Sequence, residues 1–342
     1  MRRAPATSGR ALLRPAPRVR RGATLGLWTP SSPAPALFPR RYGRALSSMR
    51  AHGYDVVVAE HATGNDGIAA AAPASVAADL HALLSDDRVD AVVCAAGGHT
   101  SSLVLPFVDW DLVREAAKPI IGYSDATAVL WATLVHAGLI TYHGPMAVSE
   151  WGEHGGVMPY TAEQFSTVVF GTPAGGVHEI EPPGRWTDEV LWWDTEDDRP
   201  RITHAGDWRC LVPGVAEGWL LPGCANTAGL LFGTGHLPDT EGAILCLDFF
   251  GSSPEKVWVQ LGQWAEAGLL KGLAGAVIAR HGCPRAAAAG STDFDGVLLN
   301  VFGPLGIPVL VDVDFGHTEP RLTLPVGGPA LLDAGHRSLV LW

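Results

Sequence analysis

Apolar positions follow a regular rhythm from residue 23 to about residue 145 and lose it afterwards. Short apolar runs of strand length at 23–28, 54–59, 91–95 and 119–121 alternate with stretches at 39–52 and 74–84 whose apolar residues recur at helical spacing. Such alternation predicts a parallel sheet with helices on both faces, and ligands of such sheets gather at the carboxyl ends of the strands. Two of those ends stand out. Gly97-Gly98-His99-Thr100-Ser101 follows the third run, and Gly122-Tyr123-Ser124-Asp125 follows the fourth.

Past the second of these turns, Val129, Leu130, Trp131, Leu134 and Val135 resume helical spacing, so 118–138 reads as strand, abrupt turn, helix. A serine on such a turn holds its hydroxyl clear of the sheet, beside the free N–H groups of the first helical turn, where an oxyanion is stabilised. On that ground Ser124 is a candidate nucleophile. The competing reading is a helix cap, since Ser and Asp are favoured there and Ala126 stands where the usual elbow has glycine. Gly97-Gly98 lets backbone amides come close to a ligand and is a candidate second oxyanion donor, although a tight strand-to-helix turn uses paired glycines equally. No Gly-Lys-Ser/Thr follows, so it is not a phosphate loop.

From Met146 to about Gly206 the alternation stops, and Trp151, Trp186, Trp192 and Trp193 are scattered among Asp188, Glu189, Asp194, Glu196, Asp197 and Asp198. One helix is predicted at 161–169, then a long connection. Ordered loops of this length are commonly lids or binding loops, and tryptophans in a polar loop favour stacking on something. A second domain begins near Trp208, with strand-like runs at 218–221, 243–247, 275–280 and 308–313 and helices at 223–232, 254–267 and 291–302. The run at 243–247 ends in Asp248, and the last one leads into Asp314-Phe315-Gly316-His317. Taken singly, each of these polar residues reads as a turn residue.

Charge and composition narrow the picture. A formal net charge of −11 leaves no basic surplus to displace counterions from a nucleic acid, so none is expected as a partner. Cys94, Cys210, Cys224, Cys246 and Cys283 lack CxxC spacing, and His99, His143, His236 and His281 lack HExxH spacing, so no metal is expected. Most of the cysteines lie in apolar surroundings, which reads as free thiols in a reducing, cytoplasmic protein. The first 21 residues hold seven arginines without the apolar core of an export signal, and a disordered basic extension is expected there. No uninterrupted apolar run is long enough to span a membrane.

Ser124, Asp248 and His317 occur in the order nucleophile, acid, base that serine hydrolases use. Around them the chain resembles the LD-carboxypeptidase family of serine peptidases over about residues 22–335. The matching stretches include KPIIGYSDAT at 118–127, YHGPM at 142–146, FGTGHLPDTEGAILCLD at 232–248 and PVLVDVDFGH at 308–317. Within that family it is more similar to the microcin C immunity branch, on Ser149-Glu150-Trp151-Gly152-Glu153, Trp186-Thr187-Asp188-Glu189 and Pro222-Gly223-Cys224.

The resemblance implies an α/β fold. An N-terminal parallel-sheet domain, flavodoxin- or amidotransferase-like, carries the nucleophile turn at 22–150; a Trp- and acid-rich substrate-loop region occupies 151–207; and a smaller C-terminal α/β domain at 208–342 holds the acid and histidine. It implies Ser124 as nucleophile, His317 as general base and Asp248 as the orienting acid where the family has glutamate. The backbone N–H groups of Gly98 and Asp125 are the implied oxyanion donors, and Gly97, His99 and Trp186 are candidate substrate contacts. It further implies a homodimer without a cofactor. The expected substrate is a small peptide or a peptidyl- or aminoacyl-nucleotide. A murein tetrapeptide, or binding with little catalysis because glutamate is replaced, are the alternatives.

Overall fold

The computed structural model describes residues 22–171, 176–282 and 292–342. The basic stretch at 1–21, Cys283 and the first residue of the helix expected at 291–302 lie outside the described residues.

The N-terminal part runs β1 (Thr24–Trp28), α1 (Ala34–Leu37), α2 (Pro39–Ala51), β2 (Asp55–Val58), α3 (Pro73–Ser85), β3 (Ala91–Cys94), α4 (Ser101–Val104), α5 (Trp110–Ala116), β4 (Ile120–Gly122), α6 (Thr127–Ala137) and β5 (Thr141–His143). Proline opens α2 and α3, where its fixed φ suits the first turn and its missing N–H costs nothing. The five strands are parallel in the order β2-β1-β3-β4-β5. Winding therefore reverses between β1 and β3. The loops leaving those two strands diverge into a crevice, the place where sheets of this kind bind ligands.

Next come α7 (Pro159–Phe170), β6 (His178–Ile180), the two-stranded pair β7 (Arg185–Trp186) and β8 (His204–Ala205), and β9 (Arg209–Val212). The rest is β10 (Val215–Cys224), α8 (Ala225–Gly229), β11 (Ala243–Asp248), α9 (Pro254–Glu266), β12 (Gly275–Ala279), α10 (Phe294–Phe302), β13 (Val309–Val313), β14 (Leu324–Val326), β15 (Pro329–Asp333) and β16 (Ser338–Leu341). The second sheet has eight strands in the order β6-β16-β15-β10-β11-β12-β13-β9. Its centre, β10 to β13, is parallel and carries the four apolar runs seen in the sequence; β6, β9, β15 and β16 pair antiparallel at its flanks. The helix expected at 223–232 is shorter, because Gly223 and Cys224 stay in β10 and pair with Leu247 and Asp248 of β11.

Two segments tie the sheets to neighbouring parts of the chain. β6 joins the second sheet, and β14 pairs antiparallel with β5 to extend the first to six strands. Between the sheets lies α6, where Leu130, Trp131 and Ala132 are fully buried and nearly every other residue is buried with them. A helix that is apolar all round is one enclosed on all sides. Trp131 Nε1 donates to the carbonyl of Pro222 at 2.9 Å, and Thr127 Oγ1 accepts from the Cys224 N–H at 2.9 Å. The helix that begins just after Ser124 is thus fastened to the strand that pairs with β11, and the carboxyl ends of both parallel sheets face one junction.

Candidate active site

β4 delivers Gly122 and an extended Tyr123, and Ser124 then takes φ +58°, a left-handed value unusual for a side chain with a Cβ. The chain turns sharply there into α6. A Cβ on Gly122 would lie 2.9 Å from both the Ala126 Cβ and the Cys94 Sγ, so glycine is what lets the turn fold back onto β3. Neither Ser124 nor its neighbour Asp125 acts as a side-chain cap of α6. The hydroxyl of Ser124 points to the other half of the molecule instead.

Asp248 is the last residue of β11, and His317 follows β13 through a short turn. Because β11, β12 and β13 are adjacent and parallel, their carboxyl ends sit together. Ser124 Oγ lies 2.9 Å from His317 Nε2, and His317 Nδ1 makes a short hydrogen bond to Asp248 Oδ2. A carboxylate can only accept, so Nδ1 carries the proton and Nε2 is left to accept from the serine hydroxyl. The other oxygen, Oδ1, accepts from the Phe250 N–H at 3.1 Å. Gly316 makes room for the pair: a Cβ there would lie 2.7 Å from Asp248 Oδ1.

Burial is the largest influence on Asp248 and pushes its carboxyl up, but the charge and hydrogen bond of His317, with His143 and Arg321 behind it, hold it below the usual carboxylate range. It is ionised at neutral pH. Two rings frame the imidazole. Phe250 stacks on it at 4.3 Å with 15° between planes, and Tyr123 meets it edge-on at 5.2 Å. Tyr123 is itself covered by the Arg321 guanidinium at 3.5 Å and donates its hydroxyl to Glu150 at 3.0 Å.

Gly97 lies against the serine, and Gly98 against Ser31 and Ser32 in the loop after β1. A Cβ on Gly97 would meet Ser124 Oγ at 2.9 Å, and Gly98 has φ +151° with Ser31 Oγ 2.5 Å from where its Cβ would be. His99 is exposed beside them. Trp186 stands further off, half-buried on β7 with the Arg280 guanidinium 4.8 Å from its ring. It lines a cavity of about 760 Å³ together with Asp188, Trp208, Arg209, Arg280 and His281. The next residue, Thr187, exchanges two backbone hydrogen bonds with Glu319, at 2.7 and 2.9 Å, which ties this loop to the one carrying His317. Two of the other tryptophans of this stretch are engaged within the fold. Trp151 is fully buried, and Trp193 packs on Phe38 and under Arg41.

Among the described residues no group of three or more His, Cys, Asp and Glu side chains is gathered as for a metal ion. His143 is buried, His236 hydrogen-bonds His136 at 2.8 Å and His281 stacks on Phe294. Cys94, Cys224 and Cys246 are buried free thiols, whereas Cys210 is exposed. No described helix is long and apolar enough to cross a membrane.

Comparison with known proteins decides the family. Residues 25–144 match the LD-carboxypeptidase N-terminal domain, and residues 217–332 match the LD-carboxypeptidase C-terminal domain. The chain belongs to the LD-carboxypeptidase family. It is therefore a serine hydrolase by family, with the two matched domains meeting at the Ser124–His317 contact.

Relatives within the family differ in what they are named for. A putative carboxypeptidase of Streptomyces coelicolor is 32% identical, over 97% of each chain. The microcin C7 self-immunity protein MccF of Escherichia coli is 26% identical over 93% of this chain and 92% of its own. The structure of MccF in complex with glutamyl sulfamoyl guanosine superposes with a TM-score of 0.89 at 26% identity, covering 96% of this chain and 98% of that one. MccF has also been solved with aspartyl sulfamoyl adenosine. A probable murein peptide carboxypeptidase of Bacillus subtilis is 27% identical, over 94% of this chain and 92% of its own.

Several residues at this LD-carboxypeptidase site were not picked out from the sequence. Phe250 stands two places after the acid, and the doubled aromatic Phe249-Phe250 at a strand end was the available signal; Phe249 turns inward to the core and Phe250 remains 44% exposed over His317. Tyr123, Arg321, Glu150 and Glu319 form a buried cluster assembled from three distant segments, and no local pattern announces it.

Proposed function

We propose that the chain hydrolyses an amide or acyl-sulfamate bond through an acyl-enzyme, with Ser124, His317 and Asp248 as the catalytic set, and that its substrates are aminoacyl- or peptidyl-nucleotides. The observation that carries the catalytic part is the continuous hydrogen-bonded chain from Ser124 Oγ through both nitrogens of His317 to Asp248. His317 Nε2 takes the hydroxyl proton as Oγ bonds to the scissile carbonyl carbon. The resulting oxyanion accepts from the Asp125 and Gly98 N–H groups. The imidazolium then gives its proton to the leaving nitrogen as the bond to it breaks; water, deprotonated in turn by His317 Nε2, attacks the ester, and that proton passes to Ser124 Oγ as the acyl group leaves. Asp248 keeps the ring in the working tautomer and stabilises its charged form.

The nucleotide part rests on Trp186, an indole backed by Arg280 at the edge of a cavity of about 760 Å³ and tied through Thr187 to the His317 loop. A planar base has an aromatic surface to stack on there. Likeness to MccF supports the same substrate class. Gly97 and His99 would line the acyl side, and a homodimer belongs to this reading.

Murein tetrapeptide cleavage is the second reading, favoured by the Bacillus subtilis relative. It needs a cation for the terminal carboxylate, and Arg280, the buried cation lining the cavity, already pairs with Asp314 at 2.8 Å. Mass spectrometry of products from aspartyl sulfamoyl adenosine and from a murein tetrapeptide separates the two: release of the sulfamoyl nucleoside is expected, and release of D-alanine alone would favour the second. Trp186→Ala should raise KM for the nucleotide substrate with little change in kcat; an unchanged KM would remove Trp186 from the binding site.

A further inference from the structure

Asp125 has been considered so far only for its backbone N–H, yet its side chain is 1% exposed and has a more unusual setting. Its Oδ2 accepts from the Ser31 hydroxyl at 2.6 Å and from the Ser101 N–H at 2.8 Å. Both donors are neutral, and among the described residues no cation pairs with the carboxyl. Burying a carboxylate without a counter-charge is costly, and here only hydrogen bonds and the adjacent start of α6 offset it.

These contacts join three loops. Ser31 follows β1, Ser101 closes the loop after β3, and Asp125 lies in the turn after β4. Ser101 is held a second time, through its hydroxyl to the Asp125 carbonyl at 2.6 Å, while the Ser32 N–H donates to the Gly97 carbonyl at 3.1 Å. The Gly97-Gly98 segment is thus fixed from both sides by groups that Asp125 holds directly or through its neighbour. The two N–H groups assigned above to the oxyanion belong to Gly98 and Asp125, one on each of the loops so joined.

We propose that the Asp125 carboxylate is a positioning residue that sets the separation of the two oxyanion donors, acting through Ser31 and Ser101 and not by touching substrate. The inference rests on the reading of Ser124 as nucleophile. Donors aimed at an oxyanion act only when they already sit where the charge forms, so loosening the joint slows the chemical step and leaves ground-state binding alone.

The test uses full-length protein and a fluorophosphonate probe, which needs no knowledge of the natural substrate. Asp125→Asn places an amide where two donors converge, and Ser31→Ala removes one donor while keeping the charge. For Asp125→Asn, the labelling rate at saturation should fall by about 100-fold, the size of one lost oxyanion donor. The probe concentration at half-saturation should stay within about twofold, because ground-state binding is untouched. Ser31→Ala should move in the same direction by less, with both variants folded by circular dichroism at the assay temperature. Labelling at the wild-type rate in both variants would overturn the proposal. So would a loss that shifts half-saturation or follows the unfolded fraction, since that is what a merely structural residue produces. If the wild type is not labelled at Ser124, the nucleophile reading itself fails and this proposal falls with it.

Discussion

Asp248 reaches His317 although it is one methylene shorter than the glutamate implied at this strand end. Both of its oxygens are occupied, by His317 and by the Phe250 N–H, and Gly316 is packed so closely that no Cβ fits beside it. The site is built around the shorter acid. Restoring glutamate should therefore lower kcat, because an added methylene in a filled, 2% exposed site forces its neighbours aside at a cost of about 1–3 kcal/mol. Steady-state kinetics of Asp248→Glu check this, and a rise in kcat would show that Asp248 is a compromise. His143 supplies a second test at this scale. Its Nε2–H donates to the Phe315 carbonyl at 2.9 Å, while Nδ1 is buried without a partner. Burial depresses its pKa to about 4 from 6.5. Below pH 6.5 the unfolded chain binds a proton that the folded one refuses until about pH 4. The contribution is thus complete above 6.5 and lost as pH falls toward 4, on the order of 3 kcal/mol at 1.36 kcal/mol per unit. Glu319, pushed up by burial and by Glu150, works in the opposite direction, so the quantity to read is the difference between wild type and His143→Gln. Denaturant titrations at several pH values should show the wild type losing stability relative to the variant as pH falls through that window; a constant difference would mean that His143 does not titrate as described.

At the scale of elements, the site is an arrangement of strand ends, and this is why much of it could be read from sequence. Apolar runs ending in Gly97-Gly98, in Ser124, in Asp248 and before His317 mark four strand ends, and parallel strands bring such ends to one side. β1, β3, β4 and β10 to β13 were legible because, where they are buried on both faces, they are continuous apolar runs; β2 was legible as an apolar run although half exposed, and β5, only three residues long, was not. β6 to β9 and β14 to β16 were not, because each is only two to five residues long, too short for a period to stand out even where, as in β14, every residue is buried. The loop after β3 illustrates the same limit. Paired glycines suggested a close approach, but only the folded chain reveals that the approach is to Ser124 itself. Gly97→Ala should put a methyl group 2.9 Å from the serine oxygen and reduce kcat by about 100-fold or more through displacement of the hydroxyl, with little change in melting temperature. Unchanged kinetics would mean that the loop yields more readily than its packing implies.

For the whole molecule, the loop that follows Trp186 is held by a buried ionic cluster. Arg41 on α2 pairs with Glu153 and Asp197 and donates to the Val148 carbonyl; Arg44 shares Asp197 and Arg201 shares Glu153. These contacts pin the segment between β7 and β8 to the N-terminal part. A run of acids is usually a solvated face, but Asp197 is 3% exposed because Arg41 and Arg44, more than a hundred residues away, pair with it. Arg41→Met would leave Asp197 to Arg44 and Glu153 to Arg201 and should destabilise the fold by about 2–3 kcal/mol, measured by denaturant unfolding; a cost below about 1 kcal/mol would indicate that the segment is held by other contacts. The junction of the two sheets is the larger device, since Ser124 comes from one and Asp248 and His317 from the other. The most direct measurement of that claim is product formation from aspartyl sulfamoyl adenosine by the wild type, Ser124→Ala and Asp248→Asn, followed by mass spectrometry. The account predicts release of sulfamoyl adenosine by the wild type, none above background from Ser124→Ala, and a fall of about 10⁴-fold in rate for Asp248→Asn as the histidine tautomer is lost. Cleavage that survives loss of the serine hydroxyl, or that is indifferent to Asp248, would contradict it.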